Sequence, residues 1–425
     1  MTPALRSPTD ALTDLNPREL VARWDADGWR VLSDAELVTS AARRLVVPRQ
    51  GPADSFVLHA PLELMARGAL LHQVAPDQRE RARQRLVWVA ATFEQQPAVD
   101  IVAVTASGLA TVATLRAAVD AGDLDEADRV AAGLAGATSA AGLVGALADL
   151  LVARLSAAGH GSIFLYHLSR LAAPDAALMV RGLVREVARH PDWELTWMND
   201  RDRQGTPTGD LFERLLDHPD VGDPGSHFIF PTMSLVEQTG LAAALLGPAT
   251  DGLSVPEARR DLVRVAALAM LQDDPDHAAY GWSHALTMPQ ATLGAAAHGE
   301  DPGRAVAVAA THVLGFRATL GTRRLDPQWT PPPPPAAVEP ATFLDSGPDG
   351  AAGAMWHAPD AELAAYVRQL TTYAACHSDA HLAKYTLACL DATRDDPGAG
   401  RLYLAAAGFL AGWWRTRGHD DDLFA

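Results

Sequence analysis

The sequence predicts an all-α fold: a single large multi-helix domain with a proline-rich strap before the C-terminal helices. Apolar residues recur at helical spacing over most of the 425 residues, whereas alternating runs of β-branched residues are almost absent. Apolar residues make up 48% of the chain and charged residues 20%, a balance typical of globular proteins. A chain of this length can bury one large core or two ordinary ones.

The helical pattern divides into consecutive segments, and several of them carry start signals. The stretches Ser254-Val-Pro-Glu257 and Ala358-Pro-Asp-Ala-Glu362 place proline and acidic residues in a first turn, where the helix dipole favours them. In chain order, the pattern predicts helices at 57–73, 77–95, 101–120, 123–131, 138–158, 161–172, 174–189, 208–217, 230–246, 255–271, 276–298, 303–319, 359–393 and 398–416.

One segment interrupts the helices, between residues 326 and 350. Five consecutive prolines, Pro331 to Pro335, favour an extended polyproline II conformation. The section that follows, 351–425, is too short and too apolar to stand alone. We therefore predict one domain over 1–425, in which the strap at 326–350 crosses the surface. The C-terminal helices of 351–425 then pack against 50–300.

Composition excludes several classes of partner. The formal net charge of −17 argues against binding nucleic acid or an anionic membrane. Two cysteines, Cys376 and Cys389, are too few for a disulfide scaffold or a cysteine-based metal site. The first ten residues lack the apolar core of a signal peptide, and no stretch is apolar enough to span a bilayer. We expect a cytoplasmic protein with no nucleic-acid or membrane partner, and its oligomeric state stays open.

The most informative residue is Lys384, because it is the single lysine among 35 basic side chains. It follows His377 by seven positions and His381 by three. On one helix these three side chains fall within about 60° of each other. Two imidazoles at that spacing can bind one metal ion. A desolvated lysine amine can also take up carbon dioxide to give a carbamate, which adds an oxygen ligand suited to iron(II), zinc or manganese.

Other histidines lie in apolar helical settings. His59 opens an amphipathic helix and, taken alone, is predicted to be a hydrogen-bonded core residue. His284 follows Tyr280 and Trp282, and a core role and a ligand role both stay open for it. His160 and His167 are interpreted as structural.

Three of these stretches resemble the questin oxidase-like family. They are Leu-His59-Ala-Pro-Leu-Glu-Leu, Trp-Ser-His284-Ala-Leu-Thr and Asp379-Ala-His-Leu-Ala-Lys384. Members of that family are all-helical proteins of similar length that oxidise aromatic polyketides. At least one branch is a non-haem iron dioxygenase that binds its metal through four histidines and a carboxylated lysine and cleaves an anthraquinone ring.

The resemblance implies a complete metal site and its cofactors. Iron(II) and a carbon dioxide-derived carbamate on Lys384 are the expected cofactors, and the need for NADPH stays open. An aromatic substrate and dioxygen are the expected partners. The implied imidazole ligands are His59, His284, His377 and His381. A tentative aromatic wall for the substrate pocket comprises Tyr280, Trp282, Trp356 and Tyr373.

Three functions compete at this stage. The first is an iron- and dioxygen-dependent mono- or dioxygenase of an aromatic polyketide such as an anthraquinone. The second is a zinc- or manganese-dependent hydrolase that activates water at the same site. Its His-Asp-dyad form is weakly supported, because the only His-Asp pair is His419-Asp420 in a polar tail. The third is a non-catalytic helical scaffold, against which the single lysine counts.

Overall fold

The computed structural model describes residues 17–26, 28–45, 55–94, 110–171, 173–199, 210–222, 224–334 and 338–418. Over these residues the chain is built from α-helices, short 3₁₀ turns and one π-helical turn. The described part contains no β-strand, only an isolated bridge between Arg154 and Glu194. The predicted all-α, single-domain fold is confirmed.

Over its described residues, the first half of the chain forms nine α-helices. Several begin with a side-chain cap: Ser33, Asp123 and Ser139 each accept a backbone N–H of the first turn. The helices are α1 (Pro17–Ala22), α2 (Asp34–Ala42), α3 (Ser55–Leu70), α4 (Arg79–Glu94), α5 (Val112–Asp120), α6 (Leu124–Gly136), α7 (Ala140–Leu151), α8 (Gly161–Leu168) and α9 (Ala173–Ala188).

The second half supplies the centre of the molecule and its C-terminal helices. Its elements are α10 (Leu211–Leu216), α11 (Ile229–Gln238), α12 (Leu241–Thr250), α13 (Val255–Gln272), α14 (Ser283–Ala296), α15 (Pro302–Leu320), α16 (Gly347–His357), α17 (Asp360–Cys376), α18 (Ala380–Asp395) and α19 (Gly400–Thr416). Every residue of α14 is buried, as expected of a helix surrounded by others. It packs against α7, α8, α13, α15 and α18, and α18 in turn packs against α3.

The proline-rich strap is fixed to the helical body at several points. Gln272 of α13 exchanges two hydrogen bonds of 2.9 Å with the backbone of Asp326. The His357 ring contacts the Pro331 carbonyl at 2.8 Å, and a Cβ added to Gly353 would lie 2.2 Å from the Pro332 oxygen. The strap therefore lies directly on α16. Pro335 lies outside the described residues.

Several predicted helix boundaries are wrong. The pattern predicts no helix between 319 and 359, but α16 spans Gly347–His357, because the proline that follows Gly347 starts a helix within the predicted strap. The predicted helix 230–246 is two helices, α11 and α12, because Gly240 adopts a left-handed φ of 73°.

The predicted continuous helix 359–393 is also wrong, and this correction matters for the site. Helix α17 ends at Cys376 and α18 starts at Ala380. The Asp379 carboxylate accepts the backbone N–H groups of His381 at 2.7 Å and Leu382 at 3.1 Å. Asp379 is therefore the N-cap of a new helix, and His377 precedes that helix instead of sharing it with His381.

Within the described ranges, no single helix is long and apolar enough to cross a membrane. Helices α11 and α12 together are long and apolar enough to do so, but the pair is bent by 83°.

Candidate metal centre

Four helices bring four imidazoles together in the interior. His59 comes from α3, His160 stands directly before α8, and His284 and His381 come from the first turns of α14 and α18. The Nε2 atom of His160 lies 3.0 Å from Nε2 of His59 and 3.1 Å from Nε2 of His284. The His381 ring centroid lies 4.7 Å from that of His59 and 5.0 Å from that of His284.

The group has the dimensions of a metal site. One ligand nitrogen from each of His59, His284 and His381 lies within 4.8 Å of the other two. His160 adds a fourth nitrogen, which touches two of them. His59, His160 and His284 are buried, and the His381 side chain is 14% exposed. Among the described residues, the structure therefore offers four convergent nitrogen ligands.

For two of the four rings, hydrogen bonds to carbonyl groups fix which nitrogen carries the proton. The Nδ1 of His284 donates to the Tyr280 carbonyl at 2.7 Å, and the Nδ1 of His160 donates to the Ala158 carbonyl at 2.8 Å. Because a carbonyl can only accept, both Nδ1 atoms are protonated and both Nε2 atoms present lone pairs. Metal-binding histidines usually have this arrangement, with the second nitrogen bonded to a carbonyl or a carboxylate.

The two lone pairs face each other without a bridging proton. Burial, and then the charge of Lys384, hold the pKa of His160 well below its ordinary value of 6.5. Burial, and then the charge of His160, likewise lower the pKa of His284. Two neutral Nε2 acceptors only 3.1 Å apart repel each other unless a cation lies between the rings. The donor set therefore fits a metal ion better than it fits a hydrogen-bonded core.

His160 is the ligand candidate that sequence reasoning assigned to a structural role. It follows three consecutive residues in the left-handed region, Ala157 (φ 53°), Ala158 (φ 49°) and Gly159 (φ 68°). Left-handed alanines are strained, and strain of this kind collects at functional sites. A Cβ on Gly159 would lie 2.6 Å from Ile229 Cγ2, so only glycine fits there. This turn aims the His160 ring inward, and no spacing pattern in the sequence reveals it.

His377 was predicted to share a helical face with His381, and that prediction is wrong. It is the C-cap of α17, and its Nδ1 accepts the backbone N–H of Asp379 at 3.0 Å. Its ring packs against Tyr373 and Trp414, each with centroids 5.2 Å away. Neither His377 nor His160 belongs to the group of three histidines whose ligand atoms all lie within 4.8 Å of one another, but Nε2 of His160 lies 3.0 and 3.1 Å from two members of that group. The geometric reason for assigning His377 as a ligand is therefore lost.

Lys384 lies on α18 one turn beyond His381 and is only 2% exposed. Its Nζ atom is buried and makes no hydrogen bond in the described structure. Burial lowers the pKa of Lys384 to about 7, although the negative charges of Asp379 and Glu63 oppose the shift. After burial itself, the charge of Lys384 is the largest influence that lowers the pKa of His59. Lys384 therefore lies on the same helix as His381, one turn away, and its amine can be neutral near pH 7.

A buried ion pair holds the junction between α17 and α18. Arg67 and Glu63, one turn apart on α3, are 0% and 3% exposed in their side chains. Arg67 donates to the carbonyls of Ala374 at 3.0 Å and Ala375 at 2.7 Å, and reaches that of Asp379 at 3.4 Å. The Asp379 carboxylate is also 3.4 Å from Nδ1 of His381. Helix α3 thus carries His59 and also fixes the loop that orients His381.

Of the four aromatic residues proposed for a substrate wall, Tyr280 lies at the imidazoles. Its ring centroid is 4.7 Å from that of His284 and 6.0 Å from that of His381. Trp282 is fully buried and its indole nitrogen donates to the Asp274 carbonyl at 2.9 Å. Tyr373 contacts His377, and Trp356 lies half-buried on α16 against the core.

A larger cleft, of about 610 Å³, lies elsewhere. It is lined by residues near the start of α13, the ends of α14 and α18, and Tyr403 of α19, and by none of the four clustered histidines. Charged groups at this cleft pair with each other. Arg259 contacts Asp395 at 2.9 Å, and Asp396 accepts from Tyr403 at 2.8 Å.

No protein-family model, curated protein or solved structure matches this chain.

Proposed function

We propose that this protein is a non-haem iron(II)-dependent oxygenase that acts on an aromatic compound such as an anthraquinone. Its metal ligands are the Nε2 atoms of His59, His160, His284 and His381 and a carbamate oxygen on Lys384. The observation that supports this most strongly is the convergence of buried imidazoles, in which the Nε2 lone pairs of His160 and His284 face each other at 3.1 Å and Nε2 of His59 lies 3.0 Å from that of His160. Imidazole and carboxylate donors together suit iron(II).

Carboxylation of Lys384 would resolve the electrostatics of the site. A buried ammonium group beside a divalent cation is repelled, and it lacks a hydrogen-bond partner among the described residues. The neutral amine nitrogen forms a bond to the carbon of carbon dioxide, and the displaced proton leaves to solvent. The product is a carbamate with one negative charge, so the lysine changes from a repelled cation to an attractive oxygen donor.

The ligand count supports an open coordination position. Four imidazoles and one carbamate oxygen supply five ligands, and iron(II) commonly accepts six. When bound, iron(II) would supply the redox chemistry that lets dioxygen react with a closed-shell aromatic. The protein residues hold the ligand nitrogens through the carbonyls of Ala158 and Tyr280 and the carboxylate of Asp379. Burial keeps bulk water away from the reacting groups.

Metal analysis of matched variants tests the ligand set. In protein purified without added metal, we expect about one iron per chain. His160→Ala and His381→Ala should each lose most of it, with helical content unchanged by circular dichroism. His377→Ala is the control and should keep its metal, because its ring packs against Tyr373 and Trp414. Full occupancy in His160→Ala, or metal loss only in His377→Ala, would contradict the assignment.

An oxygen-uptake assay separates oxygenase from hydrolase. With a hydroxyanthraquinone as substrate, the iron-loaded protein should consume dioxygen and should be inactive under anaerobic conditions. Addition of NADPH shows whether an external reductant is needed. Substrate turnover that is equal with and without dioxygen, supported by zinc or manganese, would favour the hydrolase instead.

A further inference from the structure

An exposed aromatic ring marks one route from the surface to the imidazoles. The Phe228 side chain is 66% exposed. Among the described large apolar residues, Val31 is the only other one that is exposed. Phe228 directly precedes α11, and its ring packs edge-to-face on Tyr280 with centroids 5.9 Å apart. A single exposed ring is common on protein surfaces, so it is the contact with Tyr280 that links Phe228 to the buried site.

Tyr280 continues this series of rings inward. It stands in the π-helical turn at Ala278–Trp282, a type of irregularity often found at functional sites. Its ring packs edge-to-face on His284 at 4.7 Å, while its carbonyl accepts the Nδ1 proton of the same imidazole at 2.7 Å. Phe228, Tyr280 and the imidazoles thus form a continuous path of aromatic contacts.

We propose that Phe228 and Tyr280 line the passage through which the substrate reaches the metal centre, and that Tyr280 is a specificity-determining residue. This inference rests on the proposed function, because a passage matters only if the imidazoles hold a metal. The two rings meet edge-to-face and present flat surfaces, which favours a planar aromatic ligand over a small or highly charged one.

The larger cleft of about 610 Å³ is the competing entrance. Of its lining residues on α14, Gln290 is the nearest in sequence to His284, and a separation of six residues corresponds to roughly 9 Å along the helix axis. Gln290 is buried, and its side chain donates to the Ala388 carbonyl at 2.9 Å. A variant that obstructs the cleft decides between the two entrances.

Binding of two metal-directed probes of different size tests the passage. The probes are 4-nitrocatechol, a planar aromatic whose absorbance changes when it binds iron, and azide, which is small. In the iron-loaded protein, Phe228→Ala and Tyr280→Ala should raise the association rate of 4-nitrocatechol about tenfold and leave that of azide within twofold. Phe228→Trp should slow 4-nitrocatechol. Phe228 is exposed, so its variants should fold normally, and Tyr280→Phe gives a conservative second test at the inner position.

Two controls make the outcome decisive. Val31→Ala removes the other exposed apolar side chain and should change neither rate, and Ala297→Trp obstructs the larger cleft. The proposal is contradicted if the Phe228 and Tyr280 variants bind both probes at the same rates as the parent. It is also contradicted if Ala297→Trp is the only variant that slows the binding of 4-nitrocatechol. It is also overturned if azide binds but 4-nitrocatechol binds neither the parent nor Phe228→Ala. Absence of metal from the parent protein would instead refute the proposed function.

Discussion

Lys384 combines three properties that rarely occur in one lysine. It is buried, its Nζ has no hydrogen-bond partner in the described structure, and burial lowers its pKa to about 7. An arginine at this position would stay protonated and could not form a carbamate. We expect Lys384→Arg to lower iron affinity at least about 100-fold, since an uncompensated buried charge typically costs about 3–5 kcal/mol. Equilibrium dialysis against iron measures this loss.

The carbamate has its own control. Lys384→Met removes the charge without supplying an oxygen, so it should bind iron more weakly than the parent and more tightly than Lys384→Arg. Bicarbonate present during reconstitution should raise iron content in the parent and have no effect on either variant. If Lys384→Arg binds iron like the parent, the carbamate hypothesis fails.

At the scale of the element, the junction between α17 and α18 shows what the sequence could predict. Ala-rich periodicity across 359–393 correctly indicates helix, and the position of Asp379 is the only local signal for the break. The rest of the junction depends on Arg67, which is 307 residues away from Ala374 in the chain. Local patterns contain no information about such a contact. The sequence therefore predicts His381 as a ligand candidate but wrongly places His377 on the same helix.

The ion pair beneath this junction gives an element-scale prediction. Arg67→Met should destabilise the fold by about 3–5 kcal/mol, because Glu63 and the carbonyls of Ala374 and Ala375 lose their partner inside the core. Urea unfolding measures this change.

The double variant Glu63→Met/Arg67→Met separates stability from positioning. It should recover much of the unfolding free energy, since apolar residues often replace a buried ion pair well. We expect its iron affinity to stay lower than that of the parent, because the loop that orients His381 is no longer held. A double variant with parental iron affinity would show that the pair serves stability alone.

At the scale of the whole molecule, the four imidazoles come from positions 59, 160, 284 and 381. The site therefore exists only when helices from both halves of the chain have packed against each other. Helical periodicity was enough to predict the fold class. It could not predict that a strained turn at Ala157–Gly159 brings His160 to the other three. Local spacing pointed to His381, the family resemblance pointed to His59 and His284, and only the tertiary structure brings His160 to the site.

The same dense core buries a histidine that takes no part in the site, and this makes stability depend on pH. His312 of α15 is 1% exposed, its Nδ1 has no hydrogen-bond partner among the described residues, and burial lowers its pKa to about 3. In the unfolded chain the same imidazole titrates near its ordinary value of 6.5. Between pH 6.5 and pH 3 the unfolded chain therefore binds a proton that the folded chain does not, so the free energy of unfolding falls as the pH falls.

From pH 7 to pH 5, His312 alone should lower the free energy of unfolding by about 2 kcal/mol, since each pH unit below 6.5 contributes about 1.4 kcal/mol. We expect His312→Leu to lose about 2 kcal/mol less than the parent over this interval, as measured by urea unfolding of metal-free protein at both values. His72→Leu, at an exposed position, controls for the loss of one imidazole. Equal losses in His312→Leu and the parent would mean that the folded protein accommodates the charged ring.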